Sequence, residues 1–329
     1  MKTTYSYVVG LALVFCVSLS AAQEAPPARK SATPDKNEPL QFDSARPEIY
    51  KTVGDVKLAL YIFEPAGHTS SDQSPAIVFF FGGGWTSGTP RQFEQQCRYL
   101  ASRGMVAMTA DYRVFSRHGT LAVKCVEDAK SAIRWVRANA KRLGIDPKRI
   151  AAGGGSAGGH IAACAGIIDN FDAPGEEKSI SSVPNALVLF NPALVLGGMK
   201  GQEPVKAGRL ERIENRLGTE PEALSPAHHV RKGAPPTLVL HGNADNVVPY
   251  RTAEVFAEAM KKAGNRCELI GCENQGHGFF NFGRGDNANF IATTKKMDEF
   301  LASLGYLKGP PTIEKFLEAP AAKPASTSR

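Results

Sequence analysis

A serine at the centre of a glycine-rich motif is the residue best placed to do chemistry. Ser156 lies in Gly154-Gly155-Ser156-Ala157-Gly158, a G-x-S-x-G pattern between an apolar stretch and a helical stretch. Small residues around a serine at a sharp strand-to-helix turn leave its hydroxyl exposed above a sheet. A phosphate-binding loop is the alternative, but the lysine that such a loop needs does not follow. The motif predicts that Ser156 is a nucleophile.

A serine hydroxyl needs a base to remove its proton, and the base needs a third group to orient it. Of the seven histidines, His277 in Gly276-His277-Gly278-Phe279 follows the last predicted strand and is the expected base. Asp245 follows another predicted strand and is the expected orienting acid. Asp128 is the competing carboxylate, but it lies inside a helical pattern before the nucleophile.

A glycine triplet, Gly82-Gly83-Gly84, supplies backbone donors for the negative charge that develops during acyl transfer. It follows the apolar run AIVFFF and precedes Trp85. We expect the N–H groups of Gly83, Gly84 and Ala157 to form an oxyanion hole. Trp85 and Phe279 are the expected substrate-binding residues. No cysteine or histidine spacing indicates zinc, and we predict neither a metal nor a cofactor.

These motifs must be positioned by the elements around them, which alternate between apolar strands and helical stretches. Continuous apolar strands predict an α/β fold with a mostly parallel central sheet and helices on both faces. In such sheets ligands bind beyond the carboxyl ends of the strands, where all three motifs fall. The predicted strands are Val56–Phe63, Ala76–Phe81, Met105–Asp111, Arg149–Gly153, Ala186–Phe190, Thr237–His241 and Cys267–Gly271. The predicted helices are Gln92–Arg103, Leu121–Leu143, Gly158–Ile168, Thr252–Ala263 and Asn287–Leu304.

The chain ends differ in composition from the body. Residues 1–22 have a positive start, an apolar core and small residues before Gln23, which predicts a cleavable signal peptide and a secreted or periplasmic protein. The apolar core is shorter than the ~20 residues that a membrane-spanning helix needs, so no stable membrane insertion is expected; the alternative is an uncleaved N-terminal anchor. Residues 23–47 and 309–329, rich in Pro, Ala and Lys, are predicted to be a flexible linker and a flexible tail. A hydrolytic domain is expected at 48–308, with a small cap insertion at 191–235.

Composition excludes several classes of protein. The 329 residues are 43% hydrophobic and 22% charged, as in a globular protein, and the net charge is +7. The basic residues are scattered without a run or aromatic interleaving, so we predict no nucleic-acid partner. Cleavage after residue 22 would leave an odd set of cysteines, of which Cys267 with Cys272, or Cys97 with Cys125, could be bridged. The alternative is that each cysteine is a small buried hydrophobic residue. The sequence leaves the oligomeric state open.

The body resembles the α/β-hydrolase superfamily over nearly all of residues 50–305. Within it, the chain is similar to the esterase/lipase group, which includes hormone-sensitive-lipase-like acetyl esterases, bacterial carbohydrate and feruloyl esterases, and kynurenine formamidases with an HGGxW motif. The shared segments are Asp111-Tyr112-Arg113, Ile133-Arg134-Trp135-Val136, Gly144-Ile145-Asp146-Pro147, the elbow around Ser156, Ser225-Pro226 and the HGxxDxxVP segment. The Ser-Asp-His order is that of this superfamily.

The resemblance implies a serine carboxylesterase that cleaves short acetyl-type esters of small molecules or carbohydrates, with plant polysaccharide as the preferred substrate class. Two alternatives stay open: a serine exopeptidase or amidase of the same fold, and a non-catalytic hydrolase-like binding protein. One position departs from the family, which has His where this chain has Phe81. That His is thought to order the oxyanion loop, so its absence raises the question of what does so here.

Overall fold

The structure, a computed structural model, describes Met1 and residues 39–199 and 215–319. One sheet of eight strands runs through these residues in the order β1-β2-β4-β3-β5-β6-β7-β8. The pairs β1–β2 and β2–β4 are antiparallel, and every later pair is parallel. The strands are β1 Arg46–Val53, β2 Val56–Phe63, β3 Ser74–Phe80, β4 Val106–Ala110, β5 Ile145–Gly155, β6 Ala186–Phe190, β7 Thr237–Gly242 and β8 Cys267–Cys272.

Side chains along a strand point alternately to opposite faces of the sheet. Each face therefore presents apolar side chains, and helices cover both faces. Val78 and Phe80 of β3 pack into one core with α3, α4 and α5, whereas Ile77 and Phe79 pack into the other core with α1, α6 and α7. The helices are α1 Glu94–Ser102, α2 Phe115–His118, α3 Ala122–Ala138, α4 Ala157–Ile167, α5 Tyr250–Lys262, α6 Ala288–Ser303 and α7 Ile313–Glu318. The predicted fold class, a mostly parallel sheet between helices, is confirmed. Among the described helices, none is long and apolar enough to cross a membrane.

The ends of the folded body differ from the prediction. Phe42, inside the predicted linker, is buried against the rings of Tyr61 and Phe63, and β1 begins before the linker was expected to end. In the predicted tail, α7 buries Ile313 completely. Apolar side chains in each polar stretch hold the backbone against the core: Phe42 with Leu40 and Ala45 in the first, and Ile313 with Phe316 and Leu317 in the second. The remaining parts of the linker and the tail, and the signal peptide beyond Met1, lie outside the described residues.

The predicted cap insertion, 191–235, follows the carboxyl end of β6. Its described part contains two short 3₁₀ turns, Pro221–Leu224 and Pro226–His229, and buries Leu194 and Leu224 against the core that contains α4. Residues 200–214 lie outside the described residues. The segment therefore meets the sheet at the end where the three motifs fall.

Candidate active site

Ser156 occupies a tight turn between β5 and α4. Its backbone has φ 54° and ψ −119°, a strained conformation for a residue with a Cβ. The turn is held by hydrogen bonds from the Ser156 N–H to the Phe190 carbonyl at 2.8 Å and from the His160 N–H to the Ser156 carbonyl at 2.9 Å. Gly158 is required here, because a Cβ on it would lie 2.0 Å from the Phe80 carbonyl oxygen. The sharp turn predicted from the G-x-S-x-G motif is present.

The structure brings the three predicted polar side chains together from three loops. His277 Nε2 lies 2.9 Å from Ser156 Oγ, and His277 Nδ1 lies 2.7 Å from Asp245 Oδ2. Since the carboxylate can only accept, Nδ1–H donates to Asp245 and Nε2 is left to accept from the Ser156 hydroxyl. This arrangement can remove a proton from the serine and stabilise the imidazolium that forms.

Asp245 is fully buried and surrounded by donors. Burial alone would raise the pKa of its carboxyl group, but hydrogen bonds from His241, His277, the Val248 N–H and Asn191 outweigh it and hold that pKa well below its usual range. Asn191 Nδ2 donates to Oδ2 at 2.6 Å, and the N–H groups of Val247 and Val248 donate to Oδ1 at 2.8 and 2.9 Å. Asp245 is therefore a permanent anion behind His277.

The glycine triplet lies against the turn that carries Ser156. A Cβ placed on Gly82 would be 3.3 Å from the Ser156 Cβ, so the loop and the serine are in contact. Gly83 has φ 130°, and its carbonyl accepts the N–H groups of Thr86 and Ser87, which closes the loop into a tight turn. No described residue accepts a hydrogen bond from the Gly83 or Gly84 N–H, and Ala157 is the first residue of α4. These are the donors that the sequence predicts for an oxyanion hole.

The two predicted substrate-binding aromatic residues are mostly covered. Trp85 is 6% exposed, and its indole N–H donates to His160 Nδ1 at 3.1 Å. One side of Trp85 lines a cleft of about 260 Å³ together with Thr86, Phe115, Thr120, Leu121, Asn215 and Arg216. Phe279 is 5% exposed and packs edge-on against Phe280. Substrate contact by Trp85 and Phe279 stays a prediction.

The competing carboxylate lies elsewhere. Asp128, fully buried in α3, accepts from Arg113 through Nε and Nη2, both at 2.8 Å, and pairs with Lys51 at 2.8 Å. These ion pairs tie β1 to α3 and leave Asp128 no part in the serine–histidine cluster. In the described part of the chain, no three His, Cys, Asp or Glu side chains are arranged to hold a metal ion.

Three amide side chains at the site were not predicted. Asn191 holds Asp245, and Gln92 and Asn281 connect the glycine loop to the histidine loop. Asn191 carried a usable signal, because it directly follows the apolar strand 186–190 at the sheet end where ligands bind. Gln92 and Asn281 carried none, since an amide in a loop has no characteristic spacing.

Comparisons with known proteins find esterases among the similar chains. A family model described as BD-FAE matches residues 60–260, and one described as TAP-like protein matches residues 218–303. Esterase LipC of Mycobacterium tuberculosis is 32% identical over 216 residues, which are 63% of this chain and 53% of LipC. The chain thus spans about half the length of this curated relative.

Solved structures of Thermogutta terrifontis esterase 2 are more similar. The form phosphonylated by sarin is 54% identical, with a TM-score of 0.79, and the match covers 82% of this chain and 98% of that one. The butyrate-bound form is 56% identical with a TM-score of 0.76, over 81% and 97% of the two chains. The fold, the serine turn and these matches together place the chain: it belongs to the BD-FAE family, within the esterase/lipase group of the α/β-hydrolases.

Proposed function

We propose that the protein is a serine carboxylesterase that hydrolyses short-chain acyl esters. The observation that carries the proposal is the position of His277, whose two ring nitrogens lie within hydrogen-bond distance of the Ser156 hydroxyl and the Asp245 carboxylate. His277 keeps 22% of its side chain exposed, so a substrate can reach it, while Asp245 is shielded from water. The activity of the esterases among the relatives supports the same reaction.

The proposed reaction has two steps. Ser156 Oγ attacks the ester carbonyl carbon while its proton moves to His277 Nε2, and the N–H groups of Gly83, Gly84 and Ala157 hold the oxyanion. His277 then gives the proton to the leaving alcohol oxygen as the C–O bond breaks, which leaves an acyl-enzyme. Water attacks the acyl carbon, passes a proton to His277, and releases the acid when Ser156 recovers its proton.

A short acyl group is the proposed specificity. Aromatic rings fill the core beside the serine turn: Phe280 packs directly on Gly155, and the ring centroids of Phe190 and Phe93 lie 4.7 and 5.9 Å from that of Phe280. The butyrate held by the similar esterase supports a small acyl site. We also propose that the protein is exported and that acetylated or feruloylated plant polysaccharide is its substrate, which rests on the signal-peptide pattern and the resemblance to carbohydrate esterases.

The test is the replacement Ser156→Ala. Loss of the nucleophile should lower kcat for p-nitrophenyl acetate by roughly 10⁴-fold or more, and it should abolish labelling by a fluorophosphonate probe. Ser71→Ala, in an exposed loop, is the matched control and should keep wild-type activity and labelling. Unchanged hydrolysis by Ser156→Ala would refute the proposal.

The substrate is tested with a matched panel. We expect kcat/KM to be highest for nitrophenyl esters of two to four carbons and to fall for longer chains. Acetylated sugars and feruloyl esters should be cleaved, whereas aminoacyl nitroanilides should be poor substrates. A preference for the amides would indicate an exopeptidase, and labelling without any turnover would indicate a binding protein.

A further inference from the structure

The substitution of Phe81 for the family histidine leaves the oxyanion loop without its expected anchor. Phe81 is fully buried and stacks on Tyr112, with ring centroids 4.1 Å apart and planes inclined by 18°. The Tyr112 hydroxyl donates to the Phe81 carbonyl at 2.6 Å. This packing fixes the start of the loop, but a phenyl ring has no polar atom with which to hold the glycines that follow.

Gln92 makes the polar contact that Phe81 cannot. Its side-chain Oε1 accepts the N–H of Gly82 at 2.6 Å, and Gly82 is the glycine that touches Ser156. Gln92 lies in the 3₁₀ turn Pro90–Phe93, which leads directly into α1. The oxyanion loop is therefore attached to a rigid element through one half-buried amide.

The same amide continues toward the histidine. Gln92 Nε2 donates to Asn281 Oδ1 at 2.9 Å, and Asn281 Nδ2 donates to the Gly278 carbonyl at 2.9 Å. Gly278 is adjacent to His277. Each amide uses its oxygen on one side and its nitrogen on the other, so the chain of three bonds has one direction, from the Gly82 N–H to the Gly278 carbonyl.

We propose that Gln92 and Asn281 are positioning residues that fix the distance between the oxyanion donors and the general base. Neither touches the reacting atoms; they act through Gly82 and Gly278. Displacing donors that are aimed at the oxyanion weakens binding of the transition state more than binding of the ground state. The inference rests on the proposed function, because it assigns these residues to the esterase reaction at Ser156.

The test begins with Gln92→Leu, which removes both bonds of the bridge. Removal of a direct oxyanion donor costs ~10²–10³ in kcat; a displaced loop should cost less, about 10- to 100-fold, with KM changed by less than about twofold. Affinity for a trifluoromethyl ketone, which forms a tetrahedral adduct on the serine, should fall in parallel with kcat/KM. A residue that only stabilised the fold would shift the melting temperature without lowering kcat at an unchanged KM.

Gln96→Leu is the matched control. Gln96 lies one turn further, in α1, is buried, and has no hydrogen-bond partner for its amide among the described residues. The same substitution there should leave kcat, KM and ketone affinity unchanged. If Gln92→Leu behaves like Gln96→Leu, the proposal is wrong.

Conservative variants keep the test decisive if Gln92→Leu folds poorly. Gln92→Glu can still accept the Gly82 N–H but cannot donate to Asn281, so it should retain more kcat than Gln92→Leu. Asn281→Leu should lower kcat as Gln92→Leu does, and the double variant should lose less than the product of the two, since both belong to one chain of bonds. Fully multiplicative losses would overturn the coupling, and active Ser156→Ala would overturn the esterase proposal itself.

Discussion

His160 is a buried titratable side chain beside the proposed active site that takes no part in the proposed reaction. Its Nδ1 accepts the Trp85 indole N–H, and its Nε2 donates to the Leu224 carbonyl at 2.7 Å. The bond from Trp85 needs a neutral ring, because an imidazolium has two donors and no acceptor. Burial lowers the pKa of His160 to about 4. The ring thus clamps Trp85, next to the oxyanion loop, to the segment that follows β6.

This pKa makes stability depend on pH in a defined window. The unfolded chain binds a proton near the ordinary histidine pKa of 6.5, whereas folded His160 binds one only near pH 4. The free energy of unfolding should therefore be undiminished above pH 6.5, fall as the pH drops from 6.5 to 4, and lose nothing further from this group below that. The total loss is about 3 kcal/mol. Urea unfolding across this range measures it.

The variant His160→Gln isolates the contribution. Glutamine can accept from Trp85 and donate to Leu224 but does not titrate. The variant should therefore lack the loss of about 3 kcal/mol, and its free energy of unfolding should rise relative to that of wild type as the pH falls from 6.5 to 4. A variant whose stability falls as steeply as that of wild type would show that His160 is not the group responsible.

At the residue scale, sequence patterns identify functional side chains that directly follow strands. They do not identify functional side chains that lie elsewhere. Ser156, Asp245 and His277 each lie in a loop just after a strand, where parallel sheets concentrate their functional groups. Gln92 belongs to a turn before a helix, and its partner Asn281 is distant in sequence. Only the folded chain brings the two amides together, so no local pattern could have indicated them.

At the scale of elements, the buried apolar strands were predictable and the peripheral elements were not. β2 and β6 have the predicted limits because most of β2 and all of β6 are buried apolar residues. β1 alternates between exposed and covered residues on the antiparallel edge, so its pattern is weak. α7 has too few residues for a helical period to emerge, and only one of its side chains is fully buried.

Ile313 is that side chain, and its truncation tests whether α7 is part of the fold. Ile313 is fully buried, and the preceding Thr312 N–H donates to the Tyr99 hydroxyl at 3.0 Å. Ile313→Ala should lower the free energy of unfolding by about 2–5 kcal/mol, through lost burial and the cavity left behind. Lys315→Ala, at an exposed position of the same helix, should change it by less than about 0.5 kcal/mol. Equal stabilities in denaturant titrations would show that α7 is detached; kcat at 25 °C should be unchanged in both.

At the scale of the whole molecule, the sheet divides the interior into two separate cores. Cys97 in α1 belongs to one core, whereas Cys125 in α3 belongs to the other, so this pair cannot be bridged. Cys267 and Cys272 stand at opposite ends of β8, and five strand steps of ~3.3 Å separate them too far for the ~6 Å between the Cα atoms of a disulfide. Neither possible pairing is present: all five described cysteines are free.

The burial of each cysteine predicts how its thiol reacts. Cys97, Cys125 and Cys164 are fully buried and burial raises the pKa of each thiol, so none should be alkylated in the native protein. Burial raises the pKa of Cys267 to about 12, and it raises that of the less buried Cys272 as well, so Cys272 should react first and slowly.

Each cysteine can be measured by alkylation without reductant, first of the native protein with one isotopic label and then of the denatured protein with a second label. Peptide mass spectrometry then reads the label at each site. All five should carry the native or the denatured label, and Cys272→Ser should remove most of the native signal. A peptide pair linked through Cys97 and Cys125 would contradict the separation of the cores, because only a different packing of helices around the sheet could bring those two sulfurs together.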